Sequence, residues 1–396
     1  MKRTAVTLWS RWFPLGRPFA WLQLRSDRRR FAAAVAGIAF AVIMMMFQLG
    51  LREALLKGAV VVHRHLRADL AMISPQYDFI AANEGFTERR LEQARALEEV
   101  AGVARLEAAT GHWRNPVSGK LQEILVLGFR PGERPFDLPG LVAEEGMVER
   151  RGTVLFDRLA RPSYGPVERR LAEGGAFETE VNRHRVRVEG LFELGTTLAV
   201  DATLAVSEQT FHDLFPTNAG GSISVGLIRL RPGADAAAVR DRLRALLPGD
   251  VRVLTMKEFI AAETDYWADR TPIGFVITAS IFVGLIVGAV IVYQILYTDV
   301  TEHLPEYATL KAIGYDERFF QRMVLGQSLI LTVAGYLPGV ALSAIFYRVM
   351  AMATNLAPRV SVLNLALVFG LTATMCMAAG AFAIRRLERA RPAEIF

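Results

Sequence analysis

The chain has 396 residues, of which 52% are hydrophobic, and its mean hydropathy is +0.27. These values exclude both an ordinary soluble protein and a protein made only of membrane helices. The formal net charge is +6, and the arginines gather beside apolar runs, which favours contact with a membrane over binding of nucleic acid. The single cysteine, Cys376, excludes an intrachain disulfide, so any soluble part must be stabilised by ordinary packing.

The first 30 residues combine tryptophan and phenylalanine with arginine. This mixture is typical of an amphipathic segment that lies in the membrane interface on the cytoplasmic side, in contact with lipids. A loose basic tail is the alternative interpretation.

Four runs lack Asp, Glu, Lys and Arg and have about the 20 residues that a helix needs to cross a bilayer. The first run follows a basic segment, as in a signal peptide, but it exceeds the usual apolar length of about 7 to 15 residues. It is therefore predicted to be a retained anchor. The four predicted spans are residues 31–51, 271–297, 324–347 and 360–384.

The basic residues that flank the spans predict their orientation. Four arginines lie within residues 25–30, and four more lie within residues 385–391. Because cytoplasmic flanks carry the excess of basic residues, both termini are predicted to be cytoplasmic. The segments between the spans then follow: a periplasmic domain at 52–270, a cytoplasmic loop at 298–323, a short periplasmic loop at 348–359 and a cytoplasmic tail at 385–396.

The periplasmic segment is predicted to be an α+β domain. Two strand–helix–strand halves are indicated, with a further strand at 121–129 and a helix leading into the second span at 256–272. Thr87 is the candidate N-cap of the first helix. Between the halves, about residues 135–215 are predicted to form a small β-rich subdomain. The two halves comprise residues 68–74, 87–100 and 103–110, and residues 222–230, 234–247 and 251–255.

No catalytic or metal-binding pattern is recognised in this segment. His63 and His65 lie two residues apart on a predicted helix, so their side chains diverge. Around His184 and His212 no cysteine or carboxylate pattern is recognised, and the common hydrolase and zinc motifs are missing. The domain is therefore interpreted as a binding or docking element.

The chain also lacks both common energy sources for transport. It contains no P-loop sequence for binding a nucleotide, and its spans carry no Asp, Glu, Lys or Arg for coupling to an ion gradient. If the protein moves a substrate, the energy must come from a partner.

The cytoplasmic loop contains a short predicted helix that could contact such a partner. Pro305 suits its first turn and Gly314 suits its C-terminal cap, while Glu306 and Lys311 complement the helix dipole. A helix of this length requires a surface to lie on. That surface is either a partner or the membrane face of the bundle. The apolar edge of the helix consists of Tyr307, Leu310 and Ile313.

This loop resembles that of the MacB/FtsX-type permeases of ABC transporters, the type VII superfamily. In that family the loop reads V-x-E-R-x-x-E-I-G-x-x-K-A-x-G, and this chain departs from it at His303, Tyr307 and Ala308. The four-span order, the large domain after the first span and the tail "RARPAEIF" add to the resemblance. The segment "VLFDRLARPSYG" (154–165) is most similar to the DevC branch. The positions in register with the loop motif are Val300, Glu302, Glu306, Lys311, Ala312 and Gly314.

The resemblance implies a homodimer of permeases with two copies of a separate ABC ATPase, which binds ATP and Mg²⁺; this chain binds no cofactor directly and is no enzyme. It often implies a periplasmic adaptor and a TolC-like outer-membrane channel. ATP-driven motion of the spans would reach the periplasmic domain, a mode called mechanotransmission. The implied coupling helix, which docks on the ATPase, comprises Glu302, Glu306, Tyr307, Leu310, Lys311, Ala312, Ile313 and Gly314.

Small residues in the first two spans are candidates for close helix packing. They serve either the dimer interface or packing within one subunit. These residues are Ala32, Ala36, Gly37, Gly284 and Gly288.

The leading hypothesis is thus the permease subunit of an ABC exporter, an α+β membrane protein with four spans. The first alternative is an ATPase-driven signalling protein that activates an envelope enzyme without transport. The second is an anchored adhesion or sensor module without an ATPase, which the loop helix disfavours.

Overall fold

The computed structural model describes residues 28–138, 140–141, 145–218, 221–302, 317–354 and 361–389. Within this part, the chain divides into two compact units. Unit 1 contains the described residues up to Ala54 and from Phe275 onward, and unit 2 is Leu55–Gly274. Unit 2 is therefore inserted in the chain between the first long apolar helix and the second.

The elements are numbered here in chain order. The helices are α1 (Arg28–Ala59), α2 (Val61–Arg64), α3 (Glu88–Arg95), α4 (Glu145–Val148), α5 (Val167–Gly174), α6 (Glu208–Leu214), α7 (Ala236–Leu246), α8 (Met256–Asp265), α9 (Pro272–Glu302), α10 (Glu317–Thr354) and α11 (Val362–Arg389). The strands are β1 (Leu70–Ile73), β2 (Phe86–Thr87), β3 (Val100–Arg114), β4 (Leu121–Phe129), β5 (Thr153–Asp157), β6 (Phe177–Val181), β7 (His184–Phe192), β8 (Thr203–Ser207), β9 (Ser222–Ile223), β10 (Val225–Leu230) and β11 (Arg252–Thr255).

Each of the four uncharged runs forms a helix that is long and apolar enough to cross a membrane. The apolar stretches are Arg28–Ala59, Pro272–Ile295, Val324–Met350 and Val362–Phe382. Such helices satisfy their own backbone hydrogen bonds, as the hydrocarbon core of a bilayer requires. The first stretch exceeds the prediction because α1 continues through Arg52, Glu53 and Lys57 before it ends.

Unit 1 is packed through glycines of α10 that were not singled out in the sequence. A Cβ atom added to Gly335 would lie 2.5 Å from Cβ of Ile38, and one added to Gly339 would lie 2.7 Å from Cβ of Val42. Close approach of two helices at small residues is the usual packing mode within membranes. Helices α1 and α10 are therefore in close contact, with Ile38 and Val42 fully buried between them.

Unit 2 contains one mixed sheet of nine strands in the order β11-β1-β10-β3-β4-β8-β5-β7-β6. Its first four strands are antiparallel neighbours. With α3 between β1 and β3, and α7 between β10 and β11, they form the β-α-β-β-α-β arrangement of ferredoxin-like folds. The two predicted strand–helix–strand halves are thus interleaved in one sheet, and the predicted α+β class is confirmed.

Alternate residues of β1 serve two hydrophobic cores. Leu70 and Met72 pack with the inner faces of α3 and α7, whereas Ala71 and Ile73 pack with residues of α2 and α8 on the opposite face. This follows from the two-residue repeat of a strand. Helices α2 and α8 therefore share one face of the sheet.

The predicted β-rich insertion contains strands β5 to β8, and these strands belong to the same sheet as the two halves. Strand β3 pairs with β10 from Val100 to Leu106 and with β4 from Glu107 to Arg114. Strand β3 has 15 residues, whereas β10 has only 6. In the strand order β3 lies between β10 and β4, so it pairs with β4 along the edge opposite to β10. Strands β5 to β8 then extend the same sheet.

Two local predictions were wrong in their boundaries. The helix predicted at 87–100 ends at Arg95, because Val100 already pairs with Leu230 as the first residue of β3. Thr87 occupies the N-cap position with extended backbone angles, but its side chain accepts no capping hydrogen bond. The strand predicted at 222–230 is divided at Ser224, whose hydroxyl accepts a hydrogen bond from the amide of Ala108 at 3.1 Å.

Candidate functional site

Both chain connections between the two units pass through short elements of unit 2. Helix α2 follows α1 after a break at Val60, and α8 is followed by a π-helical turn, Tyr266–Arg270, before α9 begins. Single π turns occur frequently at functional sites. These two connections are the covalent links between the first two long apolar helices and the rest of unit 2.

Helix α8 begins at a complete capping box. The hydroxyl of Thr255 accepts from the amide of Glu258 at 3.2 Å, and the carboxylate of Glu258 accepts from the amide of Thr255 at 2.8 Å. Residues four apart lie on one face of a helix, so Phe259 and Glu263 both point inward and are buried. The cap and the spacing together place an acidic side chain inside the protein.

Glu263 is only 1% exposed, and its carboxylate accepts hydrogen bonds from three donors. The hydroxyl of Tyr77 donates at 2.9 Å, the indole N–H of Trp267 at 3.3 Å and the amide of Ile80 at 3.4 Å. A buried carboxylate is tolerated only when it is satisfied in this way. Glu263 thereby connects α8, the π turn and the loop between β1 and β2.

His63 adds α2 to this network. Its Nε2 atom lies 3.2 Å from the Tyr77 hydroxyl and 3.4 Å from the Glu263 carboxylate. Its ring packs edge-on against Phe259, with 4.5 Å between ring centroids. Four segments of unit 2 thus meet at one buried polar cluster, named here the His63–Tyr77–Glu263 network.

Burial, and in second place the Glu263 carboxylate, raises the pKa of Tyr77 well above its usual value. Tyr77 therefore stays neutral and keeps its proton for the hydrogen bond to Glu263. The network contains no activated nucleophile, and its chemistry is that of a stable connection between segments.

The connection is reinforced by aromatic packing and a tight turn. Phe79, in the loop after β1, stacks on Tyr266 at 5.3 Å and meets Trp267 edge-on at 5.1 Å. A Cβ atom added to Gly274 would lie 1.8 Å from the carbonyl oxygen of Ala268. Only glycine permits this approach of the π turn to the first turn of α9.

The sequence interpretation missed this network. His63 was considered only with His65, which lies just beyond α2 and takes no part in it. A signal was available in α8, where Glu263 falls on the same helix face as Phe259. Its partners were not recognisable, since Tyr77 and Glu263 are 186 residues apart.

Most of the predicted coupling residues lie outside the described residues. Glu302, the last residue of α9, is exposed and forms an ion pair with Arg30 of α1. This pair connects the beginning of the first long helix to the end of the second. The residues outside the described part are Glu306, Tyr307, Leu310, Lys311, Ala312, Ile313 and Gly314.

The predicted small residues of the first two spans divide into two groups. Gly37 meets Ile291, and Gly288 meets Ala41 and Met375, so both glycines pack within the chain. Gly284 lies in ordinary contact with Met44. In contrast, Ala32 and Ala36 are exposed on α1. The dimer interface stays a prediction for all five residues.

The DevC-like segment 154–165 forms a structural corner. The carboxylate of Asp157, at the end of β5, accepts from the amides of Leu159, Leu194 and Gly195 at 2.9 to 3.1 Å. Farther along, the carbonyl of Tyr164 accepts from the indole of Trp113 at 3.1 Å. This segment therefore holds the β5 corner together and offers no reactive group.

His212 is surrounded by carboxylates, contrary to the sequence interpretation. Its Nε2 atom lies 2.9 Å from Oε1 of Glu107, and Glu208 is one helical turn earlier on α6. Burial, followed by the charge of Glu208, raises the pKa of Glu107 to about 8. Glu107 was missed because it comes from a distant strand, but the Glu208–His212 spacing was visible in the sequence.

Two family models match the chain. Residues 31–246 match the MacB-like periplasmic core domain, and residues 278–392 match the FtsX-like permease C-terminal model. The first match covers more than half of the 396 residues. These matches confirm the family expected from the loop motif and the four-span order.

A curated relative is the macrolide export ATP-binding/permease protein MacB of Bdellovibrio bacteriovorus. It is 25% identical over 202 residues, which cover 49% of this chain and 31% of the relative. The chain thus matches about a third of that protein's length.

Two solved structures were also found to be similar. The extracellular domain of the noncanonic ABC-type transporter YknZ from Gram-positive bacteria is 11% identical, covers 47% of this chain and 99% of its own, and has a TM-score of 0.35. The periplasmic region of MacB from Actinobacillus actinomycetemcomitans is 13% identical, covers 50% and 92%, and has a TM-score of 0.36.

The chain is therefore a multi-pass membrane protein that belongs to the MacB/FtsX-type permeases, the transmembrane subunits of ABC transporters.

Proposed function

We propose that this chain is the permease subunit of an ABC exporter in the bacterial inner membrane, and that it works by mechanotransmission. Two copies pair with two copies of a separate ATPase subunit, which binds ATP and Mg²⁺. Both termini and the 298–323 loop face the cytoplasm, and unit 2 faces the periplasm. There it engages an adaptor connected to a TolC-like channel.

The observation that supports this proposal best is the His63–Tyr77–Glu263 network. It bonds α2, which continues from the first long helix, to α8, which leads into the second. Val62 and Phe259 of these helices also pack against Ala71 and Ile73 of β1. A displacement of either long helix would therefore act on the sheet of unit 2 rather than be absorbed in a loose linker.

The Arg30–Glu302 ion pair supplies the corresponding connection on the cytoplasmic side. Glu302 is where α9 runs into the predicted coupling loop, and Arg30 is at the beginning of α1. A push on the loop by the ATPase would thus reach both long helices together. An exposed pair of this kind contributes little to stability, about 0 to 1 kcal/mol, so its role would be positional.

The homodimer is proposed to form along the α1 face that carries Ala32 and Ala36. Both alanines are exposed, whereas Gly37 on the same helix is already covered by Ile291. Small exposed residues on a membrane helix allow a second helix to approach closely. Large residues at these two positions would block that approach.

Coupling to the ATPase is tested by co-purification with a separate ABC ATPase subunit from the same organism. We expect wild-type protein to hydrolyse ATP in the complex and Glu306→Lys to abolish assembly. Normal assembly and hydrolysis in that variant would contradict the assignment of the coupling helix.

Mechanotransmission is tested by spin-label distances between the two copies of unit 2 in nanodiscs. Ser118, exposed in the β3–β4 turn, is replaced by a labelled cysteine after Cys376→Ser removes the native cysteine. ATP should change the distance in wild type but not in Glu263→Ala, although hydrolysis continues. Asp265→Asn, at an exposed carboxylate of the same helix, is the matched control and should behave like wild type.

Export and signalling are separated by the adaptor. Stimulation of hydrolysis by an adaptor encoded nearby, together with its capture by unit 2, would support export. An adjacent ATPase gene without an adaptor gene would favour the signalling alternative instead.

A further inference from the structure

A second cluster of ionisable side chains lies where β3 leaves β10 and begins to pair with β4. Glu107 is the first residue of β3 that pairs with β4, and Glu208 and His212 come from α6. Positions four apart lie on one helix face, so both α6 side chains can reach the same point. One strand and one helix thus bring three metal-ligating groups together.

The geometry of the three groups is compact. One ligand atom from each of Glu107, Glu208 and His212 lies within 4.8 Å of the others. The His212 Nε2 atom and Oε1 of Glu107 are already 2.9 Å apart. A small movement of the side chains would close this arrangement around a single ion.

The Glu107 carboxylate independently indicates a missing ligand. Glu107 is 4% exposed, and its Oε2 atom has no hydrogen-bond partner among the described residues. An unpartnered buried carboxylate oxygen is costly, and in native proteins such an atom usually bonds to a water molecule or an ion. The oxygen belongs to the same carboxylate that contacts His212.

The Glu107 carboxyl lies near two other carboxylates, Glu208 and Glu88, and near the guanidinium of Arg130. Arg130 forms a two-pronged hydrogen bond with Glu208 and also pairs with Glu88 at 3.4 Å. Among the described residues, Arg130 forms no hydrogen bond or ion pair with Glu107. Arg130 therefore orients Glu208, as hydrogen-bonding partners of metal ligands do, without neutralising Glu107.

We propose that Glu107, Glu208 and His212 bind one divalent transition-metal ion, for which Zn²⁺ is the best fit. One imidazole and two carboxylates suit Zn²⁺, whereas Mg²⁺ and Ca²⁺ prefer oxygen ligands alone. The ion connects α6 to β3 at the boundary between the ferredoxin-like strands and the inserted strands. The remaining coordination position is taken by water.

Metal binding is tested on the full chain, purified in detergent through a histidine-free tag and stripped with a chelator. Zn²⁺ is titrated in competition with a chromophoric chelator. We expect one ion per chain, and we expect Glu107→Gln and His212→Ala each to weaken binding at least about tenfold. His112→Gln replaces an exposed histidine of the same strand and should leave binding unchanged.

A second measurement needs only wild-type protein, in case a variant fails to fold. Chemical modification of His212 by diethyl pyrocarbonate is followed by mass spectrometry with and without Zn²⁺. Protection of His212, with His112 still modified, would support the site. Binding of less than one ion, or equal binding by the Glu107→Gln and His212→Ala variants, would overturn the proposal, as would equal modification of His212 with and without Zn²⁺.

Discussion

Two buried carboxylates of unit 2 differ in how their oxygens are satisfied. Glu263 accepts hydrogen bonds from Tyr77, Ile80 and Trp267, whereas Glu107 contacts only His212 and leaves one oxygen without a hydrogen bond among the described residues. Both side chains are almost fully buried. Burial alone therefore does not decide the role of a carboxylate. A satisfied one connects segments, and an unsatisfied one indicates room for a ligand.

The largest effect is expected for Glu263→Ala, which leaves His63, Tyr77 and Trp267 without their common partner. Each buried donor that is left without a partner costs about 1 to 3 kcal/mol, and Glu263 accepts from three donors. We expect a markedly lower Tm of the full chain and faster amide exchange in α8 and the loop after β1. If the Tm equals that of the Asp265→Asn control, Glu263 does not stabilise unit 2, and its contrast with Glu107 is lost.

A smaller effect is expected for Gly274→Ala, which tests whether the region around Glu263 is as tightly built as its hydrogen bonds suggest. The new Cβ atom would lie 1.8 Å from the Ala268 carbonyl oxygen, so the backbone must shift. Overpacking of this kind costs about 1 to 3 kcal/mol. Thermal unfolding measures it, with Gly249→Ala as control because nothing lies within 4 Å of that position. Equal Tm values for the two variants would show that the turn is loose.

Tyr77→Phe should cost about 1 to 2 kcal/mol. It removes the hydroxyl that donates to Glu263 at 2.9 Å while the ring keeps its packing on Phe259 at 5.4 Å. The same thermal measurement applies. Leu159, which is exposed, provides a comparison: Leu159→Ala should leave the Tm unchanged. If Tyr77→Phe also leaves it unchanged, the hydroxyl does not stabilise the network.

The smallest effect on stability is expected for Glu107→Gln without metal. The substitution keeps the shape of the side chain. Burial and Glu208 already raise the pKa of Glu107 to about 8, so no charge is lost at neutral pH and the free energy of unfolding should change by less than about 0.5 kcal/mol. With Zn²⁺, wild type should gain in Tm because the ion binds only the folded chain, and the variant should not. A loss of several kcal/mol without metal would place Glu107 in the same class as Glu263.

The elements of this protein were predicted better than its contacts. Strand β4 has the predicted boundaries, 121–129, and β1 lies within residues 68–74, because alternating or continuous apolar residues are a local property. The end of α3 was predicted wrongly because pairing of Val100 with Leu230 overrides helix propensity. The continuity of the insertion with the main sheet depends on the free edge of β3, which no local pattern reveals.

The four apolar helices, the inserted α+β domain and the loop motif of the family could all be recognised from the amino-acid sequence alone. Chain length, charge distribution and residue spacing are enough for these, since membrane insertion and secondary structure depend mainly on neighbouring residues. Only the tertiary structure brought His63 to Glu263 and Glu107 to His212. His63 and Glu263 are 200 residues apart in the sequence, and Glu107 and His212 are 105 residues apart. Their proximity is produced by sheet pairing and burial, so the proposed connection and the proposed metal site could be recognised only in the folded chain.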